Sequence, residues 1–481
     1  MIAKKDFKKL SEWLWEIPQS FRQDMRVPAR IYVSEKMLED TFGDKSIDQL
    51  VNVATLPGIT KYSLAMPDIH EGYGFPIGGV AAMDISTGVI SPGGVGYDIN
   101  CGVRALKSNL EQKEAQPFLD KLAIKIQREV PSGLGRGRQI KLDTTSVNKI
   151  LEGGVKRLVE KGFGEKEDIE SCESEGQLPQ ADASTVSEKA KNRGRDQVGT
   201  LGSGNHFLEI QKVEKIFEEE VAKIFGLFPD QILIMIHTGS RGLGHQIATD
   251  YIREMMRAML KYGIILPDRE LAASPINSPE GKGYFSAMAC GANYAWANRQ
   301  MITHYVRKAW TDVLGSQASS LELLYDVAHN IAKIEEHEVN GKPKKLVVHR
   351  KGATRAFPPQ HPEIPKKYQK VGQPVIIPGT MGTASYILVG TEKSKEAWYT
   401  VCHGAGRVMS RHAAIRSFPG NQVVQNLETK GIIVKYWGLR GIAEEAPGAY
   451  KDVDDVVEVI HSSGLSKKVA RLVPLAVIKG E

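Results

Sequence analysis

Four of the twelve histidines in this chain stand at the ends of apolar runs, next to turn-forming residues. Ile232-Leu233-Ile234-Met235-Ile236 runs into His237, and Leu323 to Ala328 runs into His329-Asn330. His206 closes Gly202-Ser203-Gly204-Asn205 just before the strand-like Phe207 to Val213. His403 follows the apolar run Ala397 to Val401 and opens Gly404-Ala405-Gly406-Arg407. Strand ends are rigid platforms from which side chains converge on one point, as a metal or catalytic centre requires. Asp98 and Cys101, three apart in a glycine-rich loop, add a carboxylate and a thiol. With His206, His237 and His329 they offer the mixed O, S and N donors of a transition-metal site. By softness the set suits zinc, iron or cobalt as well as manganese. A thiolate can also bridge two ions, which makes a two-metal phosphoryl-transfer centre one outcome.

His403 suggests nucleophilic chemistry. The pattern predicts a buried strand over 397–401, a glycine turn, and a helix from Arg407 to about Arg416. A helix N-terminus carries unpaired N–H groups and suits a phosphate, and glycines let the backbone approach it closely. An imidazole beside that phosphate can carry a phosphoryl or nucleotidyl group as a phosphoramidate. A structural corner whose histidine only satisfies a hydrogen bond fits the same residues. The chain has no GxxxxGK[ST] phosphate loop, no Lys-x-Asp-Gly and no HExxH. If it activates a nucleotide, histidine is the available nucleophile.

The elements that must position these residues follow from periodicity. Residues 64–107 are dense in glycine and β-branched residues, the texture of short strands and tight loops. Helices are expected over 112–130, 148–162, 244–261 and 291–313. Residues 163–197 are the most polar stretch and read as an exposed helical excursion. A basic run, Lys342 to Lys345 with His349, Arg350, Lys351 and Arg355, precedes a Pro-rich loop around 358–365. No clean linker divides the chain. The expectation is one α+β domain over 1–481, of mixed, mainly antiparallel sheets with peripheral helices around a central cleft.

Composition narrows the classes further. With 41% apolar and 25% charged residues over 481 positions, the chain has the make-up of a globular protein. Its net charge of +6 is compatible with a polyanionic partner but does not require one. The four cysteines are spread without CxxC spacing, so neither a disulfide framework nor a zinc ribbon is indicated. Free thiols fit a reducing cytosol, so a cytoplasmic location is expected. No apolar run is long enough to span a bilayer, and no membrane partner is expected.

Ordered blocks of residues then carry a family. Met66-Pro67-Asp68-Ile69-His70-Glu71-Gly72-Tyr73-Gly74, Gly96 to Gly102, Gly202 to His206 and His237 to Gly242 resemble the RtcB family of RNA ligases. The match continues through Tyr325 to Asn330, His349 to Ala353, Pro378 to Gly382, Cys402 to Arg407 and the final Lys479-Gly480. Thr380 stands where serine is common, which keeps the hydroxyl. The resemblance implies a ligase joining a 2′,3′-cyclic phosphate or 3′-phosphate RNA end to a 5′-hydroxyl end, with GTP and two Mn²⁺ ions. Its partners would be tRNA exon halves and broken RNA, with archease a candidate activator and a monomer the expected state.

Carried over residue by residue, the resemblance assigns His403 as the residue that takes GMP. It assigns Asp98, Cys101, His206, His237 and His329 to two manganese ions, with Cys101 suited to bridge. Asn205, Phe207, Glu209, His329, Asn330, Thr380, Ser385, His403, Ala405, Gly406, Tyr450 and Lys479 match the guanylate pocket. Arg241, Arg407 and Arg411 are candidates to clamp RNA phosphates, because fork donors match them bidentately, and Lys351 and Arg355 are candidates to line the RNA groove. A metal-dependent phosphoesterase, or a repair factor with a structural metal, would carry the same cluster without a covalent nucleotide.

Overall fold

The computed structural model describes residues 2–133, 142–318 and 320–480. Its larger sheet runs, edge to edge, through Glu322–Ala328, Gly102–Glu111, Gln231–Thr238, Phe207–Ile216, Ser466–Lys479, Ser385–Gly390 and Pro374–Ile377. These seven strands are antiparallel, and Ile433–Lys435 lies parallel beside Ser466–Lys479. The apolar run at 232–236 is buried on both sides. Ile232, Ile234 and Ile236 pack into one core cluster, and Leu233 and Met235 into another.

The second sheet orders Lys8–Lys9, Leu14–Ile17, Ala29–Tyr32, Ile59–His70, Ile77–Asp84, Lys342–Lys351 and Asn330–Val339. A short ribbon pairs Ala353–Arg355 with Thr400–Cys402 and carries His403 out of its end. The longest helix, Pro279–Leu314, has Pro279 in its first turn and Ser278 capping Gly281. It is buried on every side from Ala287 to Thr303, which explains its nearly continuous small and apolar residues. No helix among the described residues is long and apolar enough to cross a membrane.

Mixed α+β architecture with mainly antiparallel sheets is as expected, and several local expectations need correction. The helical stretch expected over 112–130 forms as Gln112–Ala115, a 3₁₀ turn Gln116–Phe118 and Leu119–Glu129, whereas the others form at Thr144–Val159, Arg241–Lys261 and Pro279–Leu314, the last one twelve residues earlier than its apolar spacing suggested. The strand before His403 is only Thr400–Cys402, because Trp398 and Tyr399 take left-handed φ of 56° and 51°. The helix after it begins at Arg411, capped by Ser410, and not at Arg407, which bridges to Tyr450. The polar run 163–197 is less exposed than its composition predicts: Asp168 and Glu173 are buried and paired with Arg307 and Lys333.

Candidate active site

Antiparallel pairing places the start of one strand beside the end of its neighbour, and here that geometry gathers the histidines. Gly102 pairs with Ala328 and Thr238, Phe207 pairs with His237, and Lys479 pairs with Phe207. Cys101, His206, His237, His329 and Lys479 therefore meet at one end of the larger sheet. A cleft of about 750 Å³ opens there, and His403 and its glycine turn line it from the ribbon side.

The donor atoms fall into two groups. Cys101, His237 and His329 offer ligand atoms within 4.8 Å of one another, as do Asp98, Cys101 and His206. Cys101 Sγ lies 3.4 Å from His237 Nε2 and 3.5 Å from His206 Nε2. His206 Nε2 is 2.8 Å from Asp98 Oδ2, and His237 Nε2 is 3.4 Å from His329 Nε2. Burial holds His237 and His329 well below the usual histidine pKa, so both are neutral, as metal ligands must be. Burial and the Asp98 charge push the Cys101 thiol well up, and a cation is what would displace its proton. Facing nitrogens and a sulfur shared by the two groups, with a carboxylate beside them, are a donor set that fits a transition-metal ion.

Behind these ligands one arginine of the long helix holds three chain segments. Arg299 Nη1 donates to the carbonyls of Asn100 at 2.9 Å and Thr238 at 2.8 Å. Its Nε and Nη2 grip Asp326 bidentately at 2.9 Å, three residues before His329. Asn100 is held in a left-handed conformation, φ 51°, which asparagine tolerates and which turns Cys101 into the cluster. Asn330 ties the Asp98 carbonyl to the Gly352 amide.

His403 is oriented by Asp68, in the second sheet. Asp68 Oδ2 accepts from His403 Nδ1 at 2.5 Å, from the His403 amide at 2.9 Å and from the Gly404 amide at 3.3 Å. Burial disfavours charge on Asp68, yet His403 and Lys451 hold its carboxyl below the usual value. Lys451 Nζ donates to the carbonyls on either side of it, Pro67 at 3.1 Å and Ile69 at 2.6 Å. With Nδ1 committed, Nε2 of His403 is the nitrogen left for chemistry. The His403 ring meets His329 edge-on at 4.9 Å. Gly406 has φ 76°, and a Cβ there would collide with the Asp68 carbonyl, so only glycine closes this turn. The anion-binding role expected of a helix N-terminus beside His403 does not arise, because the helix starts only at Arg411, beyond the glycine turn.

Asn205, Phe207, Asn330, Thr380, Ala405, Gly406, Tyr450 and Lys479 all line the cleft. Lys479 Nζ caps the carbonyls of Gly204 and His206 at 2.5 and 2.7 Å. Glu209 and Ser385 do not line it. Burial pushes the Glu209 carboxyl up to about 8, and its Oε1 is buried without a partner while Oε2 accepts from Gln211 at 2.6 Å.

Among the five expected phosphate-binding cations, Arg241, Arg407, Arg411 and Lys351 line the cleft. Arg355 does not: it is fully buried, pairs with Glu363 at 2.7 Å and stacks on Phe357, so no RNA phosphate reaches it. Lys351 is less available than its sequence suggested. Its Nζ donates to the Tyr73 and Phe75 carbonyls, and burial lowers its pKa to about 7. Arg407 is spent on the wall, bound to Glu445 and to Tyr450 Oη at 3.0 Å.

Asp68, Lys451, Arg299 and Glu445 were missed as site residues from sequence. A carboxylate inside the apolar strand Ile59–His70 was the available signal for Asp68, since a buried charge demands partners.

A family model described as tRNA-splicing ligase RtcB matches residues 49–480. A protein named tRNA-splicing ligase RtcB from Thermococcus kodakarensis is 54% identical over 476 residues, 98% of each chain. One of the same name from Aeropyrum pernix is 55% identical over 98% of this chain and 99% of its own. An RNA-splicing ligase RtcB from Mycobacterium bovis is 52% identical over 90% of this chain and all of its own.

Proposed function

Because the chain belongs to the RtcB family of tRNA-splicing ligases, we propose that it is a GTP- and Mn²⁺-dependent RNA ligase working through a covalent histidine–GMP. Its substrates are a 2′,3′-cyclic phosphate or 3′-phosphate RNA end and a 5′-hydroxyl end, as arise in tRNA splicing and RNA breakage. The observation that supports this most is the Asp68–His403 couple, which leaves Nε2 as a lone-pair nitrogen in a cleft that also holds the metal-ligand set.

Nε2 of His403 attacks the α-phosphorus of GTP, forming an N–P bond as pyrophosphate leaves. Asp68 keeps the Nδ1 proton in place and stabilises the positive charge that develops on the ring. Water opens a cyclic end to a 3′-phosphate, whose oxygen attacks the GMP phosphorus and releases His403. The 5′-hydroxyl then attacks the activated 3′-phosphate, the RNA phosphodiester forms and GMP departs. Asp98, Cys101, His206, His237 and His329 would hold two manganese ions, which when bound supply charge neutralisation at the phosphoryl oxygens. Arg241 and Arg411 orient RNA phosphates, and Glu209, behind the wall two residues along the strand from cleft-lining Phe207 and with Oε1 unpartnered, accepts from the guanine edge once the bound base displaces that wall.

The test is a joining assay with two oligonucleotides, one ending in a cyclic phosphate and one beginning with a 5′-hydroxyl. Joined product that requires both GTP and Mn²⁺ is expected. Phosphate removal without joining, at equal rate with and without GTP, would make the chain a phosphoesterase.

A further inference from the structure

The chemistry above leaves unused three aromatic rings on the wall of the cleft. Tyr97 immediately precedes Asp98, and Tyr73 meets it edge-on with ring centroids 5.4 Å apart. His245, in the second turn of the helix Arg241–Lys261, lies nearly parallel to Tyr97, at 25° and 5.9 Å. All three line the cleft; both tyrosines are partly exposed and His245 is exposed. Arg193 and Arg241 line the same cleft. Aromatic rings interleaved with arginines along a cleft are how proteins hold single-stranded nucleic acid, because every base has a π-face and every nucleotide a phosphate.

From His403 the imidazoles run in a row, 4.9 Å to His329, 5.1 Å to His237 and 5.8 Å to His206, which contacts Asp98. Tyr97 adjoins Asp98 in the chain and lines the same cleft as these rings.

We propose that Tyr97, flanked by Tyr73 and His245, is the platform on which the terminal nucleobase of an RNA end stacks, with its phosphates toward Arg193 and Arg241. The proposal rests on the ligase reading and adds to it a subsite for the base. Stacking tolerates any base, which suits an enzyme that joins many broken ends.

The test uses the full chain with Mn²⁺ and two short oligonucleotides. One carries 2-aminopurine next to a 3′-phosphate, the other next to a 5′-hydroxyl. Quenching of fluorescence in one arm identifies the end that stacks. In that arm Tyr97→Ala abolishes quenching and raises KM for the RNA about tenfold, and Tyr97→Phe restores both. His245→Ala, outside the ligand loop, gives a smaller change in the same direction and covers a failure of Tyr97→Ala to fold. Parent-like quenching and KM in Tyr97→Ala, or no quenching by the parent in either arm, would overturn the platform. Quenching by a parent that joins no ends would instead count against the ligase reading and leave the platform standing.

Discussion

At the scale of single residues, one carboxylate decides how His403 behaves. Asp68 Oδ2 accepts three N–H groups from His403 and Gly404, so the imidazole has one tautomer and one free nitrogen. Replacing Asp68 by Asn keeps the shape and offers an amide that can reverse the tautomer. Asp68→Asn should slow transfer of GMP to the protein by about 10²–10⁴-fold, measured as labelled GMP retained per second. A rate within threefold of the parent would remove Asp68 from the account. Glu209 supplies a second prediction, through pH. Its carboxyl sits at about 8, and only the ionised form accepts from the N1–H and N2–H donors of guanine. Below that value the proton must leave on binding, so GTP affinity should fall about tenfold for each pH unit below 8 and level off above it. The protonated form can donate to adenine N1, so preference for GTP over ATP should narrow at pH 6.5. Titration calorimetry across pH 6–9 decides this, and a flat parent profile matching Glu209→Gln would contradict it.

At the scale of elements, the site exists because strand ends meet and one helix residue locks them. The histidine-terminated strands were legible in the sequence because their apolar runs are continuous, as strands buried on both faces require. Their neighbours in the sheet were not legible, since pairing Gly102 with Thr238 depends on chain topology and not on local pattern. The same limit hid Asp68, which lies 335 residues from His403 in the chain. Helical spacing from Arg407 to Arg416 places the helix after His403 too early, whereas the cap Ser410 marks its true start. Arg355 looked like a groove cation because burial by Glu363 and Phe357 is invisible to composition. Arg299 carries the element-scale prediction. Arg299→Met leaves the Asn100 and Thr238 carbonyls without their donor and weakens the charge balance of buried Asp326. Chemical denaturation should show a loss of about 3–5 kcal/mol, and bound metal per chain should drop in parallel. Unchanged stability with full metal content would show that the strand ends hold themselves.

At the scale of the whole molecule, the candidate metal donors come from four separate stretches of chain, around Asp98–Cys101, His206, His237 and His329. An ion bound there stabilises only the folded state, so its removal must destabilise the fold by linkage. Dialysis against a chelator should lower Tm by a few degrees, with added Mn²⁺ restoring it, since a ligand at a hundred times its Kd contributes about 2.7 kcal/mol. The Asp98→Ala and Cys101→Ala variants should lose that response. A Tm indifferent to metal in the parent would mean the cluster holds no ion in the folded protein. The central claim, a guanylylated His403, has a more direct test. Incubate the protein with Mn²⁺ and GTP labelled at the α-phosphate, denature it, and map the retained label by peptide mass. One GMP on His403 is expected, lost in acid as a phosphoramidate is, and absent from His403→Ala. No label on the parent, or label that persists in His403→Ala, would contradict it.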